Sequence, residues 1–141
     1  QLGSDCPFFI VNRPVVAFGR GEVMEPVELS LAGYTLVMIH PGIHVSTKDA
    51  FAGIVPHETG TELKKRILEP VELWKHWLVN QFEATVGARY PLIMDIKAML
   101  YHQGAVYASM SGSGSVVYGL FRSAPSLPVK PGWKTFSLSL T

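Results

Sequence analysis

Two short stretches hold residue types able to act on a charged or reactive group. Gly3-Ser4-Asp5-Cys6-Pro7-Phe8-Phe9 sets a carboxylate among small residues that permit close backbone approach, just before a short apolar run expected to be helical. A carboxylate so placed can accept or orient a hydroxyl proton. Ser4 or Asp5 can equally cap that helix by accepting a hydrogen bond from an unpaired N–H, and from the residues alone the cap is the simpler account. Ser109-Met110-Ser111-Gly112-Ser113-Gly114-Ser115 combines two glycines with four hydroxyls, so its backbone N–H groups could face an anion or a neighbouring phosphate-binding loop. The run lies between two strand-like segments and lacks the full G-x-G-x-x-G spacing, which argues against a dinucleotide fingerprint, and a Walker A loop is absent. A tight hairpin turn is the alternative reading.

Other candidates carry less. The histidines at 40, 44, 57, 76 and 102 form no recognised metal spacing, and Pro41-Gly42 keeps His40 and His44 off a shared helical face. Phe51 could stack on a nucleobase or serve as an ordinary core aromatic. Asn80 and Glu83 could tie loops together through side-chain hydrogen bonds, though a polar helix face explains them equally well. Cys6, the one cysteine, cannot form an internal disulfide and sits in no zinc-type spacing, so a reducing, cytoplasmic setting is expected.

The elements that must position these residues follow from patterning. With 141 residues, 48% of them hydrophobic, the chain can bury one sizeable core and is expected to form one domain. Twelve Lys plus Arg against 11 Asp plus Glu give no reason to expect a nucleic-acid or membrane-surface partner. The longest apolar runs fall far short of the roughly 20 residues of a membrane span. A hairpin is predicted from Val15 to Leu29 around Gly19-Arg20-Gly21, and a buried central strand over Tyr34–His40. Capping signatures at Ser46/Asp49 and Thr59/Glu62 predict two short helices. Val71, Trp74, Leu78 and Phe82 recur at helical spacing and predict a single amphipathic helix, and Pro91 to Gly104 predicts another. Strands are predicted over 105–110, 116–121 and 133–140. The fold class is therefore α+β: an antiparallel sheet covered on one face by helices.

Taken in order, GSDCPFF at 3–9, AFGRGE at 17–22, HPGIHVST with Phe51 at 40–51, NQFE at 80–83 and GAVYASMSGSGSVVYGLF at 104–121 resemble the C-terminal part of the GHMP kinase superfamily. Within it, the pattern is most similar to the 4-diphosphocytidyl-2-C-methyl-D-erythritol kinases. The resemblance implies a ferredoxin-like C-terminal domain, preceded by a short remnant of the N-terminal domain. It also implies transfer of the γ-phosphoryl of ATP, with Mg2+, to a hydroxyl of a cytidine-diphosphate-linked methylerythritol in non-mevalonate isoprenoid synthesis. Asp5 then matches the catalytic aspartate, Thr47 and Phe51 match substrate-pocket positions with Phe51 against the cytosine ring, and Gly112, Ser113 and Gly114 match a glycine turn near the ATP. NQFE departs from the more usual NDFE, which puts a role for Gln81 in question.

The family's N-terminal lysine and its phosphate loop have no counterpart here, and Gln1-Leu2-Gly3 has neither an initiator methionine nor the regions of a signal peptide. The chain is therefore expected to be a fragment of a kinase, inactive alone because phosphoryl transfer depends on positioning and charge neutralisation. Surface left uncovered by a missing half is expected to favour self-association. A non-catalytic ligand-binding domain, and a kinase of the same superfamily acting on another small alcohol, are the competing readings.

Overall fold

The computed structural model describes residues 6–19, 21–54, 62–128 and 130–141. Gly3, Ser4 and Asp5 lie outside these, as does Thr59 of the second capping signature. In chain order the elements are α1 (Cys6–Val11), β1 (Val15–Phe18), β2 (Val23–Pro26), β3 (Thr35–His40), α2 (Thr47–Phe51), α3 (Glu62–Arg66), α4 (Val71–Trp74), α5 (Phe82–Arg89), α6 (Pro91–His102), β4 (Tyr107–Met110), β5 (Val117–Phe121) and β6 (Lys134–Ser139). No helix among the described residues is long and apolar enough to cross a membrane.

The chain divides into two compact units, Gln1–Ser30 with Glu58–Glu69, and Leu31–His57 with Pro70–Thr141. In the first, β1 and β2 form the predicted hairpin, antiparallel with Val15 opposite Pro26 and Phe18 opposite Val23. Gly21 N donates to Phe18 O at 3.1 Å and closes the turn. Lys64 on α3 reaches Glu25 on β2 at 2.9 Å.

The second unit is built on a four-stranded sheet in the order β4-β5-β3-β6, with every neighbouring pair antiparallel. Numbered by their own sequence, its strands run 2-3-1-4, the order of a ferredoxin-like sandwich. The helices that cover it lie between β3 and β4, whereas the described residues of 122–133, between β5 and β6, contain no helix. β3 alternates as a strand with one buried face should: Thr35, Val37 and Ile39 are buried and Leu36, Met38 and His40 partly open. Val37 and Ile39 belong to one buried core with Ile93, Ile96 and Leu100 of α6, which recur every three or four residues and are buried almost completely. Burying each such side chain stabilises the fold by about 1.5–3 kcal/mol. Pro91 opens α6, where a missing N–H costs nothing, and Gly104 follows its end at φ +95°.

The structure departs from the predicted helix spanning Val71, Trp74, Leu78 and Phe82. Only Val71–Trp74 is α-helical, and a separate helix, α5, starts at Phe82. A continuous helix would have Phe82 N donate to Leu78 O. Instead Leu78 O accepts from the Tyr107 hydroxyl at 3.0 Å, and Phe82 N donates to Asn80 Oδ1 at 2.9 Å. Buried Val71 and Trp74 keep the apolar stripe, with the Trp74 ring edge-on to Tyr107 at 5.5 Å, but tertiary partners take both halves of the hydrogen bond that would have joined the two segments.

Candidate functional site

The glycine turn, 111–115, joins β4 to β5 as predicted. Gly112 and Gly114 take φ +54° and +95°, a region that L side chains enter at a cost, so the turn's shape requires glycine there. Their surroundings differ. A Cβ at Gly112 would meet nothing within 4 Å, whereas one at Gly114 would lie 2.9 Å from Met110 Sδ and 3.4 Å from Val45 Cγ2. Gly112 thus leaves its backbone open to approach, and Gly114 is the face of the turn packed on the domain. The turn closes on itself through Gly114 N donating to Ser111 O at 3.0 Å and Ser111 N donating to Val116 O at 2.8 Å.

Three groups outside the turn fasten it. The Ser115 hydroxyl donates to Ile43 O, tying the turn to the loop between β3 and α2. Asn80 donates through Nδ2 to both Met110 O and Gly112 O, each at 2.8 Å. Glu83, only 6% exposed, accepts at Oε1 from Met110 N (2.8 Å) and Ser109 Oγ (3.1 Å), and at Oε2 from Lys97 Nζ (2.6 Å). Of the two readings the sequence left open for Asn80 and Glu83, the loop tie is the one found. A space of about 260 Å³ opens beside the turn, lined in part by Asn80, Tyr107, Ser109 and Tyr118. Burial raises the Tyr107 and Tyr118 hydroxyls above the ordinary phenol range and so favours their neutral forms.

Thr47 and Phe51 lie on α2, one turn apart and therefore on one face. Ser46 caps the helix as predicted, its hydroxyl accepting from Asp49 N at 3.4 Å. Thr47 is exposed, and Phe51 is 58% exposed although it is the largest apolar residue of its helix. Phe51 and Phe82 pack T-shaped, ring centroids 4.8 Å apart and planes at 79°, so the ring is braced while more than half of it stays exposed. Asp49 Oδ2 and Arg89 Nη1, at 2.7 Å, hold α2 to α5.

The start of α5 is therefore common to both candidate regions: Asn80 and Glu83 hold the glycine turn, and Phe82 braces Phe51. Gln81 is exposed and makes no side-chain cap there. His40 Nδ1 accepts from Gly42 N at 3.0 Å and shapes the Pro41-Gly42 turn. No three His, Cys, Asp or Glu side chains converge on a possible metal position among the described residues. Asp5 lies outside the described residues. Lys97 and the Tyr107 hydroxyl had no signal in the sequence, and Ser109 stood out only as part of the glycine-serine stretch, because each acquires its role through a partner distant along the chain.

Residues 66–128 match the family described as GHMP kinases C terminal. The chain is 52% identical over 134 residues to 4-diphosphocytidyl-2-C-methyl-D-erythritol kinase of Bacteroides thetaiotaomicron, an alignment covering 95% of this chain and 48% of the relative. It is 50% identical over 141 residues to the protein of the same name from Azobacteroides pseudotrichonymphae, covering 99% and 51%. A crystal structure of 4-(cytidine 5'-diphospho)-2C-methyl-D-erythritol kinase superposes with a TM-score of 0.63 at 29% identity, over 84% of this chain and 44% of that one. The chain spans about half the length of the curated relatives it matches.

Proposed function

We propose, from the premise that this chain belongs to the GHMP kinase family through its C-terminal domain, that it forms half of an ATP-dependent kinase acting on 4-diphosphocytidyl-2-C-methyl-D-erythritol in isoprenoid synthesis. Similarity along nearly the whole chain to kinases of that name carries the reading. ATP supplies the transferred γ-phosphoryl group. The turn at Gly112, Ser113 and Gly114 fits a place beside its phosphates: Gly112 leaves room for close backbone approach, and a turn fixed from outside costs little reorganisation when charge develops. Mg2+ belongs with the nucleotide phosphates, and no ligand to it is assigned in this chain.

Asp5 is assigned the substrate hydroxyl, which it orients or deprotonates. Phe51 is assigned the cytosine ring. A braced, exposed aromatic ring suits stacking on a flat base, and Thr47 on the same side of α2 supplies a hydroxyl able to choose among bases. On this reading residues 1–141 are the C-terminal domain with a remnant of the N-terminal one, the setting is cytoplasmic, and the isolated chain is inactive. Phe136 and Leu138, 58% and 56% exposed on edge strand β6, favour its self-association.

Phosphoryl transfer from labelled ATP to the cytidine-linked substrate by the full-length protein tests the proposal. Asp5→Asn should lower kcat about 10²-fold or more, with cytidine diphosphate still bound. Turnover by the 141 residues alone would refute the half-site reading. Phosphorylation of homoserine or mevalonate in place of the cytidine-linked alcohol would refute the substrate.

A further inference from the structure

Glu83 is the one buried acid among the described residues, and Asn80 lies one helical turn before it. Together they hold Met110 by both sides of its backbone: Glu83 accepts from its N–H and Asn80 donates to its carbonyl, as well as to that of Gly112. A buried ion pair such as Glu83–Lys97 adds little net stability over apolar side chains of the same volume. What directional polar contacts supply is a single geometry. The turn needs that from outside, because glycines carry no side chains to anchor it and its own backbone bonds close it without orienting it on the domain.

We infer that Asn80 and Glu83 are positioning residues for the nucleotide side of the reaction: they set the height and tilt of the Ser111–Ser115 turn against the ATP phosphates. The inference rests on the kinase reading above. It separates the NQFE segment's two functions, with Asn80 and Glu83 serving the nucleotide and Phe82, through Phe51, the cytidine substrate.

The decisive variant is Asn80→Asp, which keeps an oxygen for Phe82 N but replaces a donor to two carbonyls with a carboxylate facing them. In the 141-residue chain, amide exchange at Ser111 and Gly114 should accelerate about tenfold or more, while the core amides of α6 keep their wild-type rates. In the full-length kinase, KM for ATP should rise by about tenfold with KM for the cytidine substrate unchanged. Asn80→Ser, milder because its hydroxyl still caps Phe82 N but cannot span both carbonyls, should shift both readouts in the same direction. Unchanged exchange at Gly114, or both KM values moving together with thermal stability, overturns the inference. A full-length wild type that transfers no phosphoryl group sinks the kinase reading and the nucleotide role with it, and accelerated exchange at Gly114 would then show that the clamp itself was not what failed.

Discussion

Replacing Gly114 by alanine should destabilise the domain distinctly more than the same change two residues earlier at Gly112. Both glycines have positive φ, so each substitution carries a left-handed penalty of about 1–2 kcal/mol. At Gly112 that is the whole cost, since an added methyl meets nothing within 4 Å. At Gly114 it would sit 2.9 Å from Met110 Sδ. Met110 is 2% exposed and belongs to the buried core, so its side chain can yield only by pressing on other core side chains. Overpacking of this kind costs about 1–3 kcal/mol, for a total of about 2–5 kcal/mol at Gly114. For a domain of this size each kcal/mol lowers Tm by about 3 °C, so the two variants should differ by several degrees in calorimetry or in urea midpoints at constant m. The clash has one main partner, so Met110→Val, which removes Sδ, should reduce the increment for Gly114→Ala toward that for Gly112→Ala. Equal losses at the two glycines, or an increment at Gly114 that Met110→Val leaves untouched, would refute the packing argument.

Phe51→Ala should separate folding from binding. Its edge contact with Phe82 is worth about 0.5–1.5 kcal/mol to stability, whereas losing a stacked base should weaken cytidine diphosphate about 5- to 150-fold by calorimetry, and a stability loss with unchanged affinity removes Phe51 from the site. Burial raises the Tyr107 and Tyr118 pKa values above the ordinary 10.0, so the fold favours their neutral forms; that stability is fully present below about pH 10 and is lost as pH rises beyond it. Urea midpoints taken at about pH 9 and about pH 11 should show the fall, and Tyr107→Phe should make it shallower; an equally steep fall in that variant would contradict the assignment. Gln81→Asp, at the exposed N-cap position of α5, should stabilise the fold by about 0.3–1 kcal/mol at low salt and less at high salt, read as a small rise in Tm, and a loss would show that Gln81 has an unrecognised partner.

Much of the fold was legible because its signals are local. Alternation in β3, the proline and glycine that bracket α6, the Ser46 cap and the two hairpins each depend on residues a few positions apart. The glycine turn was legible for the same reason, whereas local spacing left Phe51 open between an ordinary core aromatic and an exposed ring, and only the fold shows it 58% exposed. The predicted helix through Phe82 failed because spacing reports which residues share a face and is silent on what competes for the backbone between them. Tyr107, 29 residues from Leu78, and the Asn80 side chain take the two groups that a continuous helix would have paired.

By itself the sequence determined the elements, the α+β class and the ordered motifs by which the GHMP kinase family is recognised, since these are written in neighbouring residues. Only the tertiary structure decided that Asn80 and Glu83 serve the glycine turn, that Lys97 and Ser109 complete their network, and that Phe51 stands exposed while braced by Phe82. A polar side chain can hold a given carbonyl or N–H only where folding brings the two together, and for these pairs that means closing loops of 14 to 32 residues.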